Sequence, residues 1–396
     1  MTRTVFIDCG AAETRAAMFD GDEVTHFWFG PARGDEGLPR SPQTGDIVSG
    51  RVKSVAKSLN GAFVDIGAER DGFLPLSKDA KPPVEGARLI ASVRRPQIDA
   101  KGAVLTLDWA SGLSALEKAK SEAQAASSAV GLIGEVSDAA LSAVRHFARI
   151  ASGAAVAVND PAVKSVLERH GAAVRVEPAQ DWDDVITRSL ERSVGLASGA
   201  LLHFHETKAG ALIDIDTASA SDGATGALND KINLAAAAHL PKEISRRAIA
   251  GRVIIDFLPP SGAGARAKLL DALRAGVAGL PRARLGKLAP DGLCDLTMPR
   301  EQHSLLEAAT EFSTAGWPVE GRRFTLDWST KSAMRSLEKA LRARPSASIR
   351  LLVASDIGAY LSDLRPQWAQ RLAQKYGARF TIEPGATMET RTHEIA

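Results

Sequence analysis

The sequence predicts a multidomain protein that combines α/β and all-β folds, and three observations support this prediction. The chain has 396 residues, of which 45% are hydrophobic and 24% are charged, enough for about two to four globular domains of ordinary size. Short runs of alternating apolar and polar residues fill residues 45–110, as in a small β-barrel. From residue 154 onward, strand-like segments alternate with helical ones, as in α/β folds.

The composition argues against a membrane protein and against a secreted disulfide framework. No segment approaches roughly 18 consecutive apolar residues, and the first residues lead into a strand pattern instead of a signal peptide. Cys9 and Cys294 are the only cysteines, too few for a disulfide framework or an all-cysteine zinc site. We therefore expect a cytoplasmic protein with no membrane partner, whose two thiols are buried.

The charge distribution is more informative than the net charge. A net charge of +2 does not by itself indicate nucleic-acid binding. Basic residues are nevertheless concentrated in residues 266–287 and 322–350, as on a surface that follows a phosphate backbone. Solvated helix faces are the alternative explanation for both clusters.

The amino-terminal residues predict a small β-meander. Residues 4–8 and 15–19 read as strands, and a third strand follows the turn at residues 20–22. The segment 31–45, rich in proline, glycine and charged residues, interrupts this pattern. We interpret it as a linker, after which a new module begins near Gly45.

The second module shows five short strands, which suggest a small barrel of the OB type. The five segments are residues 47–52, 62–66, 72–74, 89–93 and 103–107. Phe63 and Phe73 can place two rings on the open face of this barrel, where stacking and positive charge would bind single-stranded nucleic acid. The alternative is that both rings belong to the core. The cationic side chains beside them are Arg51, Lys53 and Arg70.

The middle of the chain predicts helices followed by a β/α alternation. Residues 112–150 are rich in Ala, Ser, Glu and Lys and read as helical. A strand follows at residues 154–158 and a helix begins after Asp160. Another helix is predicted for residues 182–196.

Two carboxylates lie at the end of a predicted β-hairpin. Residues 201–206 and 211–216 read as its strands and residues 207–210 as its turn. Because side chains alternate along a strand, Asp214 and Asp216 point to the same side, about 7 Å apart at Cα. Two like charges this close disfavour ionisation unless a cation lies between them.

A third carboxylate, Asp256, ends the apolar strand at residues 251–258 just before a Pro-Pro stop. If this strand pairs beside the hairpin, Asp256 joins Asp214 and Asp216 in an all-oxygen site suited to Mg²⁺ or Mn²⁺. Such a metal would position and deprotonate a water and stabilise charge on a phosphodiester. The alternative is that the carboxylates cap strand ends.

Two histidines lie on the same hairpin. His203 and His205 share a strand face near Glu206 and could form a transition-metal pair. The alternative is that they are strand residues that face solvent or make a polar contact.

The residues described so far resemble the ribonuclease E and ribonuclease G family. Residues 13–21 resemble its amino-terminal strands, and residues 61–76 are very similar to its S1 domain, in which two matching aromatic residues contact RNA. Residues 213–216 and 253–257 lie where the family has its Asp-x-Asn and Ile-Asp-Phe metal ligands, and residues 233–236 match the helix between them. The resemblance therefore implies that the three carboxylates bind a metal.

Two further segments, residues 281–285 and 292–300, resemble the basic stretch and the closing run of the family's nuclease subdomain. By this resemblance Arg282, Arg284 and Arg300 would contact backbone phosphates or the charge of the transition state. Ordinary surface arginines are the alternative.

The resemblance also implies an architecture: an RNase H-like domain with an inserted S1 barrel of the OB fold, a DNase I-like nuclease subdomain and a small α/β domain, which residues 351–396 resemble. The RNase H-like domain is expected in two segments, 1–38 and 111–195, the second of which holds a degenerate sensor region. The other expected boundaries are 39–110 for S1, 196–303 for the catalytic subdomain and 304–396 for the carboxy-terminal domain.

The chain departs from the family pattern at several points. Asp216 replaces the usual Asn, which adds negative charge and should preserve metal binding. Residues 112–150 have no counterpart of the Arg-Thr loop that reads a 5′-monophosphate, so we expect cleavage to depend little on the 5′ end. The Cys-Pro-x-Cys zinc link is absent, so we expect no zinc, and a homodimer would form without it. A Pro-Pro pair also replaces the polar pair after the Ile-Asp-Phe motif.

The function that the resemblance implies is a Mg²⁺-dependent endoribonuclease that cleaves single-stranded RNA, in rRNA or mRNA processing or decay, to 5′-phosphate and 3′-hydroxyl ends. One alternative is a catalytically weak or inactive RNA-binding or ribosome-associated protein of the same fold, against which the three retained carboxylates argue. The other is a metal-dependent DNA nuclease, against which the S1 resemblance argues.

Overall fold

The computed structural model describes residues 3–33, 41–77, 79–98, 100–109, 115–127, 129–133, 138–207, 209–218, 225–313, 321–363, 367–385 and 388–396. Portions of three sequence predictions lie outside these residues: positions 34–40 of the linker, position 208 of the hairpin turn, and positions 112–114, 128 and 134–137 of the helical stretch. Among the residues that the structure describes, no helix is long and apolar enough to cross a membrane.

The strands of the described residues are numbered in chain order. They are β1 Arg3–Cys9, β2 Glu13–Asp20, β3 Glu23–Pro31, β4 Ile47–Ala56, β5 Gly61–Asp65, β6 Gly72–Pro75, β7 Arg88–Arg95, β8 Val104–Thr106, β9 Gly131–Leu132, β10 Ala155–Val158, β11 Val174–Val176, β12 Ser193–Gly195, β13 Leu201–Thr207, β14 Gly210–Asp216, β15 Gly251–Asp256, β16 Arg284–Leu288, β17 Leu293–Met298, β18 Thr310–Phe312, β19 Arg322–Phe324, β20 Ile349–Val353, β21 Phe380–Pro384 and β22 His393–Ile395.

The helices follow the same convention. They are α1 Ala115–Ser127, α2 Ala139–Ala148, α3 Pro161–Arg169, α4 Asp183–Leu190, α5 Thr225–Arg246, α6 Ala263–Val277, α7 Leu305–Ala309, α8 Leu326–Ala343, α9 Ser355–Asp363 and α10 Gln367–Tyr376. The chain divides into two compact units. The first comprises Met1–Gly21, Trp28–Ala179 and Ala309–Ala396, and the second comprises Asp22–Phe27 and Gln180–Ala308.

A five-stranded sheet has the order β11-β10-β1-β2-β3 and, apart from residues 23–27 of β3, belongs to the first unit. β1 pairs antiparallel with β2 and parallel with β10, so the predicted meander is confirmed. Ile7 of β1 and Met18 of β2 belong to one buried core cluster with Phe147 of α2 and Leu167 of α3. The Asp160 carboxylate caps α3 by accepting from the Ala162 amide over 2.8 Å, which confirms the helix start predicted there.

The same unit contains a closed five-stranded barrel. Strands β4, β5, β6, β8 and β7 pair in succession, and β4 closes the barrel by pairing with both β5 and β7. Its buried core includes Val48, Val64, Leu74, Val93 and Leu105. The predicted barrel is therefore confirmed. The helical prediction for residues 112–150 is wrong at Gly131–Leu132. These residues form the short strand β9, because β4 offers them backbone hydrogen-bond partners.

The helix predicted for residues 182–196 is only partly correct. α4 ends at Leu190, and residues 193–195 form strand β12 instead. β12 pairs antiparallel with β13, with Ser193 opposite His203. A neighbouring strand therefore overrides the local helical preference, because it satisfies the backbone hydrogen bonds of β12.

The carboxy-terminal region of the first unit is a small α/β layer. β20 pairs parallel with β21 and antiparallel with β22. Its core includes Leu337 on α8, Leu351 on β20, Ile357 on α9 and Leu372 on α10. β18 and β19 form a separate two-stranded sheet.

The second unit is a six-stranded sheet in the order β12-β13-β14-β15-β17-β16. One face is buried against α5 and α6, where Ile213, Ile255, Leu240 and Leu273 belong to one core cluster. Alternate residues point to the opposite face and are more exposed, as the 43% exposure of Leu212 illustrates. That face carries the side chains of the candidate site.

Candidate active site

Two carboxylates lie side by side on the exposed face of the second unit. β14 pairs parallel with β15, and Asp214 lies directly opposite Asp256. This pairing confirms the expected neighbourhood of the hairpin and the second strand. The hairpin itself is also confirmed, with β13 antiparallel to β14 and His203 opposite Asp214. Residues in one row of a sheet share a face, so His203, Asp214 and Asp256 point to the same side.

The third predicted carboxylate, Asp216, lies two residues after Asp214 on β14. Its side chain is exposed, and its Oδ1 accepts a hydrogen bond from the Ala218 amide over 2.9 Å. Its Oδ2 lies 4.0 Å from His203 Nε2. Asp216 therefore neighbours the Asp214–Asp256 pair on the same face but is held by other groups.

The donor set suits a hard divalent cation. Within the described ranges, no group of three or more His, Cys, Asp or Glu side chains is arranged to hold a metal ion, so the three-carboxylate site remains a prediction. A pair of adjacent carboxylates is nevertheless a sufficient protein contribution, because Mg²⁺ keeps several waters and takes one or two carboxylates together with substrate phosphates. Asp214 and Asp256 fit this requirement.

The backbone that follows Asp256 is held by a buried amide. The Asn233 side chain, on α5, donates to the Leu258 carbonyl over 2.7 Å and accepts from the Leu258 amide over 3.1 Å. The Phe257 amide also donates to the Gly292 carbonyl over 3.2 Å. A Cβ at Gly292 would lie 2.1 Å from the Phe257 carbonyl oxygen, so this close approach requires glycine.

The two strand histidines make polar contacts. His203 Nδ1 lies 2.7 Å from Ser193 Oγ, and the His205 ring lies 2.8 Å from Arg192 Nη2. Burial, together with the charges of Arg192 and His203, lowers the pKa of His205. These contacts support the polar-contact interpretation over a transition-metal pair.

The three predicted phosphate-binding arginines differ in their surroundings. Arg282 forms an ion pair with Glu301, and Arg300 forms one with Glu307. Arg284 is exposed at the start of β16, opposite Thr297. The structure thus places two of the three guanidinium groups beside carboxylates of the same unit, which a bound phosphate would have to displace.

The aromatic pair predicted on the barrel lies at its surface. Phe63 is directly opposite Phe73, with ring centroids 5.5 Å apart at an interplanar angle of 59°. Both residues are half-buried, which excludes a fully buried core position. A Cβ at Gly61 would lie 2.3 Å from Phe73 Cζ and 2.8 Å from the Leu74 carbonyl oxygen, so a larger residue at position 61 would displace the ring or the backbone.

The three cationic side chains predicted for this surface are exposed, and two of them have acidic neighbours. Lys53 donates to Asp71 over 2.8 Å, a hydrogen bond that raises the pKa of Lys53. Arg51 lies opposite Asp65 in the β4–β5 pairing. Arg70 is also exposed. Sequence reasoning missed the two aspartates, which reduce the positive charge of this surface.

The structure also gives three other residues contacts near the site that the sequence did not predict: His203 lies near Asp216, Ser193 contacts His203, and Asn233 holds the Leu258 backbone. The sequence predicts His203 as either a metal ligand or a polar strand residue, with no link to Asp216, and it predicts a helix at Ser193. Asn233 was noted only as a residue of a matching helix. The register of His203 could have been read from the hairpin, because pairing Thr207 with Gly210 places position 203 opposite position 214.

Comparison with known protein families supports the relationship that the residues suggested. Residues 92–300, more than half of the chain, match the Ribonuclease E/G family. Residues 41–79 match the S1 RNA binding domain, which agrees with the closed barrel. The S1 match includes Phe63 and Phe73, and the family match includes Asp214 and Asp256.

Individual relatives extend this similarity. Ribonuclease E from Haemophilus influenzae is 21% identical over 96% of this chain and 50% of its own length. Ribonuclease G from Salmonella typhimurium is 22% identical over 77% of this chain and 81% of its own length. The chain thus spans about half the length of the ribonuclease E relative. The match to residues 92–300, with the site's two strands inside it, shows that this chain belongs to the Ribonuclease E/G family.

Proposed function

We propose that the protein is a divalent-metal-dependent endoribonuclease that cleaves single-stranded RNA internally and leaves 5′-phosphate and 3′-hydroxyl ends. The observation that carries this proposal is the direct pairing of Asp214 with Asp256 on the exposed sheet face, within the segment that matches the family. Two adjacent carboxylates give a phosphodiester-cleaving enzyme the hard oxygen ligands that it needs.

Each carboxylate has a distinct role in this proposal. Asp214 and Asp256 hold the cation, Mg²⁺ or Mn²⁺, which when bound supplies Lewis acidity and lowers the pKa of a water. Asp216, whose Oδ1 is fixed by the Ala218 amide, orients groups beside the pair. Asn233 holds the end of the Asp256 strand through the Leu258 backbone.

RNA binding is assigned to the barrel and to the arginines of the second unit. Phe63 and Phe73 stack on bases, and cationic side chains contact phosphates. Ionic contacts of this kind bind any sequence, so the barrel would supply affinity more than specificity. The phosphate-binding side chains are Arg51, Lys53, Arg70, Arg282, Arg284 and Arg300.

The finer architecture also belongs to this proposal. The strand order β11-β10-β1-β2-β3, with β10 parallel to β1, supports an RNase H-like domain into which the barrel is inserted. We assign the second unit to a DNase I-like catalytic subdomain. With no 5′-sensor loop and no zinc link expected, cleavage depends little on the 5′ end, and any homodimer forms without zinc.

The first experiment offers a fluorescent single-stranded, A/U-rich RNA to the wild type and to the Asp214→Ala variant, with Mg²⁺ or with EDTA. The same RNA is prepared with a 5′-hydroxyl and with a 5′-monophosphate. Cleavage that needs Mg²⁺, is lost in the variant and differs little between the two ends supports the proposal. Single-stranded DNA of the same sequence tests the DNA-nuclease alternative.

A second candidate function is RNA binding without turnover. It is favoured by the ion pairs that occupy Arg282 and Arg300. It is also favoured by the absence, among the described residues, of a cluster of three or more His, Cys, Asp or Glu side chains that could hold a metal. Binding of the RNA without Mg²⁺-dependent cleavage would establish this candidate. The same conclusion would be supported if the Asp214→Ala, Asp256→Ala double variant replaced the wild-type protein in cells without loss of its cellular role.

A further inference from the structure

His203 has no role in the proposed chemistry, although it lies in the same row of the sheet as the carboxylate pair. On β13 it is opposite Asp214 on one side and opposite Ser193 on the other. The row therefore runs Ser193, His203, Asp214, Asp256 across four neighbouring strands. A side chain in such a row can contact its neighbours on the shared face.

The contacts of the imidazole define its orientation. Ser193 Oγ lies 2.7 Å from His203 Nδ1. When the Ser193 hydroxyl donates to Nδ1, the neutral ring carries its proton on Nε2. That nitrogen lies 4.0 Å from Asp216 Oδ2, so a small rotation brings the Nε2–H group into hydrogen-bond range.

Each oxygen of the Asp216 carboxylate thus has a neighbouring group. Oδ1 accepts from the Ala218 amide over 2.9 Å, and Oδ2 faces the imidazole. Without these partners, Asp216 would be a third negative charge free to turn toward Asp214, two residues away on the same face. Like charges in neighbouring positions disfavour each other, and a mobile one would also compete for the cation.

We infer that His203 is a positioning residue that, fixed by Ser193, holds the Asp216 carboxylate beside the Asp214–Asp256 pair and keeps that pair free for the divalent cation. This inference deepens the proposed function and rests on it. Groups that orient the surroundings of metal ligands typically change metal affinity or activity by about ten- to a hundredfold when removed. His203 thus acts through Asp216 and not on the reacting atoms.

His205 provides a matched control within the same strand. It lies two residues from His203 on the same face, is likewise half-buried, and contacts Arg192 over 2.8 Å. Its replacement removes an equal volume from the same sheet. Because it lies opposite Leu212 and is held by Arg192 instead of contacting Asp216, it tests whether loss of any strand histidine near Asp214 is enough to impair activity.

The test compares kcat and KM for the fluorescent RNA, with Mg²⁺, across five variants. His203→Leu is expected to lower kcat by about tenfold with KM changed by less than about twofold. His203→Gln, which keeps an N–H donor, should retain most of the wild-type kcat. In an Asp216→Asn background, His203→Leu changes kcat by less than about twofold, since no third charge remains to be held. The variants are His203→Leu, His203→Gln, His205→Leu, Asp216→Asn and the double variant His203→Leu, Asp216→Asn.

Equal losses of kcat from His203→Leu in the wild-type and Asp216→Asn backgrounds would overturn the inference, as would an equal loss of kcat from His205→Leu.

A second measurement needs no cleavage. It records the ¹⁵N shifts of metal-free protein labelled at histidine, with the His203 signals identified by their loss in His203→Gln. A proton on Nε2 whose signal moves in both Ser193→Ala and Asp216→Asn supports the inference. A proton on Nδ1, or an Nε2 signal that either substitution leaves unmoved, contradicts it.

The two readouts separate the two proposals. Failure of the wild type to cleave RNA with Mg²⁺ would remove the proposed endoribonuclease function, and the ¹⁵N shifts would then decide on their own whether His203 holds Asp216. If the wild type cleaves RNA and His203→Leu cleaves it equally well, the proposed function stands and the positioning role of His203 is wrong.

Discussion

The Asn233 side chain bridges the backbone of Leu258, donating to its carbonyl over 2.7 Å and accepting from its amide over 3.1 Å. Asn233 is buried on α5, whereas Leu258 lies two residues beyond Asp256. One helix side chain therefore fixes the backbone that follows a proposed metal ligand. This relationship and four others lead to measurable predictions.

Replacement of Asn233 by leucine should reduce both stability and activity. The change leaves the Leu258 amide and carbonyl without their buried partner, at a cost of about 2 kcal/mol, and allows the end of β15 to shift. We expect cleavage to fall by about ten- to a hundredfold. Urea unfolding and the RNA cleavage assay measure the two effects. Asn229→Ala is the control, since Asn229 donates to the neighbouring Pro259 carbonyl over 3.3 Å from a less buried position on the same helix; equal effects of both changes would contradict a special role for Asn233.

Replacement of Asp256 by asparagine should separate stability from metal binding. Because two like charges directly opposite each other destabilise a sheet, the variant should gain about 0.5 kcal/mol in stability without metal. It should lose the increase in Tm that Mg²⁺ gives the wild type and at least about a hundredfold in cleavage. Thermal unfolding with Mg²⁺ and with EDTA checks this. Asp295→Asn, on the neighbouring strand β17, should keep the Mg²⁺ effect; a Mg²⁺ effect that survives in Asp256→Asn would exclude this residue as a ligand.

Replacement of Phe63 by alanine should weaken RNA binding without unfolding the barrel. The ring is half-buried and packs on Phe73 at the surface, and loss of one stacked base costs about 1–3 kcal/mol. Fluorescence anisotropy with single-stranded RNA measures the affinity, and circular dichroism monitors the fold. Leu59→Ala, at a position 58% exposed on the same barrel, should change the affinity much less, and equal effects would indicate a general disturbance.

Replacement of Asp71 by asparagine should strengthen RNA binding. The Asp71 carboxylate pairs with Lys53 over 2.8 Å, so its removal frees the ammonium group for a phosphate. One additional phosphate contact should steepen the dependence of log affinity on log salt by about 0.7. Anisotropy titrations at several salt concentrations give this slope. The Lys53→Gln, Asp71→Asn double variant should not show the steeper salt dependence. If the steeper slope persists in the double variant, Lys53 is not the group that binds the additional phosphate.

Replacement of Glu243 by glutamine should destabilise the second unit in a pH-dependent manner. Burial alone would raise the pKa of Glu243, but the hydrogen bond from His239 and the charges of Arg246 and Arg247 outweigh burial and lower it to about 2. The ionised group therefore contributes stability above its ordinary pKa of 4.5, and this contribution declines as the pH falls toward 2. Breaking a buried pair costs about 3 kcal/mol.

Urea unfolding of the wild type and of Glu243→Gln, at pH values from 7 to 3, checks this expectation. The difference in unfolding free energy should be largest at pH 7 and should shrink below pH 4.5. A difference that stays constant down to pH 3 would show that the Glu243 charge does not contribute. Glu168→Gln, an exposed residue of α3 paired with Lys164 over 3.6 Å, should change stability little at any pH, because surface ion pairs contribute little.

The local elements and the family relationship could be determined from the sequence itself. The alternation of apolar residues identified the barrel strands and the hairpin, since the two-residue period of a strand is a local property. The position of Asp160 identified the start of α3, since capping depends on a few adjacent residues. The motif around Phe63 and Phe73 and the two Asp-containing strands identified the Ribonuclease E/G family, which the match over residues 92–300 bears out.

The tertiary structure decided how distant residues meet. Asp214 and Asp256 are neighbours because β14 pairs in parallel with β15 across the intervening α5, and the hydrogen-bond register between strands so far apart depends on how the helix packs. The strand at residues 193–195 exists because β13 offers it backbone partners, although the local sequence favours a helix. The ion pair of Arg282 with Glu301 likewise depends on a contact between the segment after α6 and the segment after β17. Sequence patterns determine which face a side chain occupies, whereas packing determines which side chain lies opposite it.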